Sequence, residues 1–335
     1  MSKSIFANDK AAPRYFVLGA GAIGRLWATR LKSAGAQVGF ITRSMHQSIT
    51  VEVNDLQYQG TQSFVFDCTH ASQLNKASLD GAQLIIATKA HQATQALAEL
   101  LPALTDSTRL LVLCNGVGIQ QAMLELLKQN ALKTALYWGV SSDGAVIHAD
   151  HSLQHTGVGV THIGCLNKAT KRHNNFLLPK NFSLVVDQSE NIKVAIWHKF
   201  FINCAINPAT VHCNCNNGEL LDNASYADFF TALCSELQRL YNNLRLSFTN
   251  EKNARSFNAL QCELPESFSV QQAARQVARQ TAKNTSSMLR DTRNNKVTEI
   301  AFLNGHLVKW AISNKLPCPL NRQLQQEVLQ RSSDN

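Results

Sequence analysis

The hexapeptide Gly19-Ala20-Gly21-Ala22-Ile23-Gly24 follows directly on the apolar run Tyr15-Phe16-Val17-Leu18. Behind it Ile23, Leu26, Trp27 and Leu31 repeat at i, i+3, i+4, i+8, one face of a helix, until Gly35 ends the pattern. Gln37-Val38-Gly39-Phe40-Ile41 then reads as a second strand. Strand, G-x-G-x-x-G and helix in this order constrain the chain to a βαβ unit that cradles a dinucleotide. Each glycine has its own reason. Gly19 permits the tight turn, Gly21 lets backbone approach a pyrophosphate, and Gly24 allows helix and strand to pack closely. The helix N-terminus adds N–H donors and positive potential.

The end of the second strand selects the cofactor. A ribose 2′-hydroxyl is usually held there by Asp or Glu, about 20 residues after the motif. Here Thr42-Arg43-Ser44 occupies the position, and no acid lies between Gly24 and Glu52. Arg43 reads either as a solvated surface charge or as the partner of a 2′-phosphate through charge-assisted hydrogen bonds. With the acid missing, the second reading prevails and NADP(H) is expected. Leu84-Ile85-Ile86-Ala87-Thr88 runs into Lys89, and Leu110-Leu111-Val112-Leu113-Cys114 runs into Asn115, with a helix ending at Pro102 between them. Such continuous apolar runs alternating with helices imply a parallel sheet, and ligands collect at the carboxyl ends of its strands. Lys89 and Asn115 are therefore expected beside the nicotinamide end of the cofactor. From Tyr137 to Gly164 the pattern shortens into an expected antiparallel extension, with Phe176–Asp187 as its last strand.

Beyond Asn191 glycine becomes scarce and helical periodicity takes over. The segment from Ile192 to Asn207 is apolar on most sides, yet Lys199, Asn203 and Asn207 recur every four residues as one polar line. Pro208 is expected to kink or end this helix. A line of buried polar groups is costly unless something satisfies it. It is either a seam bonded to neighbouring backbone or a substrate wall facing a cleft. Further helices are expected over 220–247, 267–293 and 298–313. Asn284 and Ser287 would share a face of the second. Glu299 would lie in the first turn of the third, where a carboxylate also suits the helix dipole.

With 335 residues, 44% of them hydrophobic and 16% charged, the chain has material for two globular domains. The expected division is a floppy extension over residues 1–12, a Rossmann-like α/β NADP-binding domain with a parallel sheet over 13–189, and an all-α substrate-binding domain over 190–335. No secretory signal and no membrane span are read from the sequence. The net charge of +9 comes from scattered Lys and Arg, so an anionic cofactor and substrate are preferred to nucleic acid as its cause. Nine cysteines without a C-x-x-C pair suggest free thiols in a reducing cytoplasm, with Cys204, Cys114 and Cys234 buried. His212, Cys213 and Cys215 lack a second ligand pair, so no metal is expected. The pattern leaves monomer or homodimer open.

Together these motifs resemble the 2-dehydropantoate 2-reductase (ketopantoate reductase) family over about Arg14 to Leu329. GAGAIG at Gly19–Gly24, TKAHQ at Thr88–Gln92, NGVG at Asn115–Gly118 and THIG at Thr161–Gly164 carry part of the likeness. More specific are WHKFFINCAINPATVHCNCNNGEL from Trp197 and SSMLRDTRNNKVTEI from Ser286. The resemblance implies NADPH-dependent reduction of 2-dehydropantoate, a small-molecule substrate, on the way to pantothenate and coenzyme A. It implies that Gly19, Ala20, Gly21, Ala22, Ile23 and Gly24 hold the pyrophosphate and Arg43 the 2′-phosphate. Lys89, Asn115 and Ala145 would contact the cofactor. Lys199 would be the proton donor, and Glu299 the active-site glutamate with a cofactor contact. Asn115, Lys199, Asn203, Asn207, Asn217 and Ser287 would bind substrate. Ala301 departs from the Asp that many members carry after TEI. A reductase of another 2-oxo acid and a non-catalytic NADP sensor are the rival readings; the second would be expected to lack Lys199 or Glu299.

Overall fold

The computed structural model describes residues 14–44, 47–54, 60–167, 175–249 and 254–333, so the expected extension over 1–12 lies outside the described residues. The chain divides into two compact units. One comprises the described residues up to Cys114 with Ala122–Ile192, and the other Asn115–Gln121 with the residues from Lys193 onward.

The first unit is α/β. In chain order it contains β1 (Arg14–Leu18), α1 (Ala22–Ser33), β2 (Gln37–Thr42), β3 (Ser48–Asn54), β4 (Thr61–His70), α2 (Lys76–Leu79), β5 (Gln83–Ile86), α3 (Ala90–Leu100) and β6 (Arg109–Val112). There follow α4 (Ile119–Gln129), whose first residues group with the second unit, then β7 (Ala135–Ser141), β8 (Gly144–Ile147), β9 (Leu153–Gly157), β10 (Val160–Cys165) and β11 (Val185–Gln188). The sheet order is β11-β10-β7-β6-β5-β1-β2-β4-β3-β9-β8. The run β7-β6-β5-β1-β2-β4 is parallel throughout. Leu18 lies opposite both Ile41 and Ile86, and Ile86 opposite Val112, so these strands end level with one another. Strand order reverses at β1, which places the switch point of the sheet between β1 and β5. β5 is buried along its whole length, as its unbroken apolar run requires of a strand covered on both faces.

The extension differs from the expected one. β10 does lie antiparallel on β7, but the β8–β9 hairpin joins the opposite edge, where Leu153 pairs with Val53 of β3. It covers an edge that the β3–β4 hairpin would leave open. The expected strand over Phe176–Asp187 shrinks to β11, because Pro179 starts a turn closed by Phe182 N–H to Pro179 O at 3.1 Å. Phe176 is instead a core residue, its ring edge-on to Tyr137 at 5.8 Å. Inside this region Asp143 and His155, both essentially inaccessible, pair at 3.2 Å, and Arg30 meets the other ring nitrogen at 3.2 Å. Asp143 also accepts from Gly159 N–H and the Ser141 hydroxyl. Burial raises its pKa, but the bonds from His155, Gly159 and Ser141 outweigh that and hold it below the ordinary carboxylate value.

The second unit is helical: α5 (Ile192–Cys213), α6 (Glu219–Asp222), α7 (Ala224–Thr249), α8 (Val270–Gln280), α9 (Ser287–Arg293), α10 (Asn304–Ser313) and α11 (Pro319–Ser333). α5 runs straight through Pro208 rather than ending there. The proline has no N–H for the carbonyl four residues back, that of Cys204. Asn304 Nδ2 donates to that carbonyl at 2.9 Å and also to Asn321 Oδ1 at 2.8 Å, and Asn304 is fully buried. Asn321 in turn donates to the buried Glu236, whose carboxylate also accepts the N–H groups of Leu320 and Asn321 at the start of α11. A tertiary donor thus replaces the one the helix lost.

Three further helical expectations are corrected. The helix expected from 220 breaks at Asn223, whose Oδ1 accepts Tyr226 N–H at 3.3 Å and opens α7. The helix expected over 267–293 is two helices, because Ser286 caps α9 by accepting Leu289 N–H at 3.1 Å. Asn284 therefore stands in the connection and shares no helical face with Ser287. The helix expected from Thr298 begins at Asn304, and Glu299 opens a short 3₁₀ turn over Ile300–Phe302. Its carboxylate is not in the first turn of α10. Cys204 and Cys234 are buried, whereas Cys114, at the exit of β6, is only part-buried. Among the described residues no helix is long and apolar enough to cross a membrane, and no group of three or more His, Cys, Asp or Glu side chains is arranged to hold a metal ion.

Candidate active site

In the first unit the glycine loop, Arg43 and Lys89 lie where the parallel strands end. β1 passes into Gly19, whose φ of +110° is the left-handed conformation that favours glycine. A Cβ there would come within 2.7 Å of Ala87 O, and one on Gly24 within 1.9 Å of Gly19 O. Those two glycines are required by the loop itself. Gly21 is different: a Cβ on it would find nothing nearer than Ala87 O at 4.0 Å, so its surface is open. Gly21 is also the N-cap of α1, with no side-chain cap and no acid in the first turn. An open glycine before an uncapped helix start is a cradle suited to a phosphate group. Ala20, Ala22 and Ile23 back the loop against the core of the sheet. Arg25 ties the loop down, donating from Nε to Ala20 O and from Nη1 to His151 O, both at 2.9 Å.

Arg43 directly follows β2, exposed, on the strand next to the glycine loop. Lys89 directly precedes α3, half-buried, just after β5. Ala145 lies on β8, half-buried against the same core that α1 covers.

In the second unit, aromatic packing orients α5. Trp197 Nε1 donates to Leu260 O at 3.0 Å, and its ring meets Phe200, Phe248 and Phe257 at 5.4, 5.7 and 4.9 Å. Lys199 and Asn203 are half-buried and Asn207 is 8% exposed. Thr210 donates to Asn207 O and shares a 2.7 Å hydrogen bond with Ser286, the cap of α9. That contact holds the start of α9, whose first residue is the exposed Ser287, against α5. Asn217 is held by Asn217 N–H to Asn284 O at 3.0 Å and by its Nδ2 to Thr281 at 2.8 Å. Its buried Oδ1 has no partner among the described residues, an acceptor left for a donor from outside.

Asn115 and Glu299 are joined directly, Asn115 Nδ2 donating to Glu299 Oε2 at 3.1 Å. Glu299 is 6% exposed. The loop after Asn115 is clamped to the same unit by Val117 N–H to Phe302 O at 3.0 Å. Gly116 and Gly118 have φ of +92° and +93°, and a Cβ on either would strike Phe302 O or the His306 ring. Burial pushes His198, stacked 3.8 Å from the Phe268 ring, down to about 4, and burial also lowers His306. Both are therefore neutral near pH 7.

The structure thus joins the side chains of Asn115 and Glu299, and joins α5 to the start of α9 through Thr210 and Ser286. Gly19–Gly24, Arg43, Lys89 and Ala145 belong to the first unit, the remaining candidates to the second. Sequence reasoning missed Thr210, Ser286, Arg25 and Asn304. The only signal for Asn304 was a proline inside an otherwise helical pattern, which demands a donor without saying whose.

Two family models match: "Ketopantoate reductase PanE/ApbA" over residues 15–168 and "Ketopantoate reductase PanE/ApbA C terminal" over 191–332. The 2-dehydropantoate 2-reductase of Vibrio cholerae is 30% identical over 313 residues, 93% of this chain and 95% of that one. A PanE/ApbA family ketopantoate reductase from Ralstonia eutropha superposes with a TM-score of 0.75 at 22% identity, covering 96% of this chain and 99% of that one. A D-mandelate dehydrogenase bound to NADH and anilino(oxo)acetate has the same fold, with a TM-score of 0.74 at 18% identity and the same coverage.

Proposed function

The chain belongs to the PanE/ApbA ketopantoate reductase family, and from that premise we propose that it reduces 2-dehydropantoate to pantoate with NADPH, supplying pantothenate and coenzyme A synthesis in the cytoplasm. The observation that carries the reading is the polar line Lys199, Asn203 and Asn207 along a mostly apolar helix, with Ser286, the cap of α9, bonded to Thr210 on the same helix.

Bound NADPH would supply a hydride to the C2 ketone. Gly21 and the open start of α1 would take its pyrophosphate, with Gly19, Ala20, Ala22, Ile23 and Gly24 shaping the loop, and Arg43 its 2′-phosphate. Lys89, Ala145 and Asn115 would contact it toward the nicotinamide side, and Glu299 would hold the Asn115 amide in place. Lys199, as ammonium, would hydrogen-bond the carbonyl oxygen as negative charge grows on it and then protonate it, two contributions from one cation. Asn203 and Asn207 would pair with the substrate hydroxyls and Ser287 with its carboxylate. The unpartnered Asn217 Oδ1 would accept a further hydroxyl. A substrate lacking those oxygens would leave these groups unpaired and be rejected.

The fold shared with a D-mandelate dehydrogenase favours a second reading, reduction of another 2-oxo acid with NADH or NADPH. One experiment separates them: oxidation of NADPH and of NADH with ketopantoate and a panel of 2-oxo acids, for wild type and Lys199→Ala. The proposal expects ketopantoate and NADPH to be preferred, and the variant to lose about 10²- to 10⁴-fold in kcat. Turnover of another 2-oxo acid without ketopantoate would overturn it.

A further inference from the structure

Arg25 lies in the first turn of α1, one residue beyond the last glycine of the loop. Side chains on a helix lean toward its N-terminus, and this one does. Its Nε donates to Ala20 O and its Nη1 to His151 O, both at 2.9 Å, while its own backbone N–H donates to Gly21 O at 2.9 Å. Ala20 and Gly21 lead directly into the helix, so Arg25 occupies both loop carbonyls whose negative ends would repel an anion there. His151, the outer support, has φ of +65° in a turn closed by its N–H to His148 O at 3.0 Å. The guanidinium is thus braced on backbone at both ends, and Nη2 takes part in neither bond.

The charge itself is left unanswered. Arg25 is half-buried, and among the described residues no carboxylate pairs with it. Burial alone displaces its pKa, downward, with no negative group holding it up. The first turn of α1 holds no acid, and Gly21 caps the helix without a side chain. Tying down a loop asks for a hydrogen-bond donor and not for a charge. A half-buried cation without a counter-ion is costly until an anion reaches it. This cation stands at the cradle whose open glycine suits a phosphate group.

We propose that Arg25 is a cofactor-binding residue, its braced guanidinium meeting the pyrophosphate of the dinucleotide through Nη2. The inference rests on the reading that this loop cradles NADPH, and it adds a charge-assisted contact to the N–H groups of the helix start. The pyrophosphate is the partner because Arg25 is bonded to the loop itself, whereas Arg43, assigned to the 2′-phosphate, follows β2. Bracing raises affinity, since a side chain ordered before the ligand arrives loses little freedom on binding it. NADPH and NADH share the pyrophosphate, so Arg25 strengthens the binding of both and does not choose between them.

The test titrates the full-length protein with NADPH and with NADH by cofactor fluorescence, at low salt and at about 0.3 M sodium chloride. Glutamine places an N–H where arginine has Nε, so Arg25→Gln keeps a donor for Ala20 O and removes the charge; Arg25→Lys keeps the charge. Arg25→Gln should weaken both nucleotides about tenfold at low salt and by a smaller factor at high salt, and Arg25→Lys by less than about threefold. In wild type, phenylglyoxal labelling of Arg25, mapped by mass spectrometry of the digest, should fall about tenfold on saturation with NADH. That measurement decides the matter even if a variant does not fold. Affinities of Arg25→Gln within about twofold of wild type, or labelling of Arg25 unchanged by NADH, would overturn the proposal and leave Arg25 as a tie of the loop. A loss confined to NADPH would overturn it in favour of the 2′-phosphate. Wild type that binds neither nucleotide would overturn the dinucleotide reading and this contact with it, whereas the preceding outcomes leave that reading standing.

Discussion

Asn304→Leu tests whether α5 crosses Pro208 because a side chain from elsewhere replaces the missing amide. Leucine keeps the heavy-atom count and branching of asparagine but is bulkier, so the change opens no cavity at this fully buried position, and any overpacking cancels in the cycle below. It removes the donor to Cys204 O and the donor to Asn321 Oδ1. Each orphaned buried acceptor costs about 1–3 kcal/mol. Against that, Asn304 Oδ1 is itself buried without a partner among the described residues, and its loss returns about 1 kcal/mol. The expected destabilisation is about 3 kcal/mol, read as a lower urea midpoint at unchanged slope by far-ultraviolet circular dichroism. The decisive step repeats it in a Pro208→Ala background. Alanine restores the amide to Cys204 O, so Asn304→Leu should then cost only about 1 kcal/mol, a coupling of about 2 kcal/mol in the double-mutant cycle. Equal costs in the two backgrounds would refute the compensation argument, whatever their size.

Gly21→Ala should leave the urea midpoint within about 0.5 kcal/mol of wild type, since its Cβ meets only open space. It should nevertheless weaken NADPH binding at least tenfold by titration fluorescence; unchanged affinity would remove the pyrophosphate from that surface. Arg43→Ala should raise KM for NADPH about tenfold or more and leave KM for NADH nearly unchanged, the split expected of a 2′-phosphate contact. Asp143→Asn should cost about 1–3 kcal/mol at pH 7, because it removes the buried carboxylate that accepts from His155, Gly159 and Ser141. Asp143 is depressed in the folded protein, so its contribution is present above the unfolded value near pH 4 and lost as pH falls through the folded one. Denaturation curves from pH 7 down to about pH 3 should therefore converge for variant and wild type, and a gap that widens in acid would contradict the assignment.

The first unit was the more legible half, and the reason is local. The glycine loop, its flanking strand and the amphipathic stripe of α1 are contiguous, and each states its own geometry. Continuous apolar strands likewise announced a parallel sheet. What adjacency could not convey was where the β8–β9 hairpin would pair. Its residues suit any open edge, and the edge it covers exists only because β3 folds back on β4. The helical half failed at its boundaries for a related cause. Ser286 and Asn223 can cap a helix or sit within one, and apolar periodicity across a break looks the same as periodicity along a helix.

The candidate site divides along the same line. Lys199, Asn203 and Asn207 were visible because a four-residue polar repeat is conspicuous on an apolar helix. The bonds that tie α5 to α9 and Asn115 to Glu299 were not, because Thr210 and Ser286 are 76 positions apart and Asn115 and Glu299 are 184 apart. Pro208 joins the two kinds of information. Read alone it predicts a break immediately after Asn207, which would free the end of the polar line. In the fold it is spanned, and the donor that spans it, Asn304, opens the helix that follows Glu299 by one short turn. The polar line on α5 and the Glu299 segment of the second unit are therefore tied through the buried Asn304 amide. A change at Asn304 should disturb both the line on α5 and the Glu299–Asn115 bond, whereas one at Ser287 should disturb only the first.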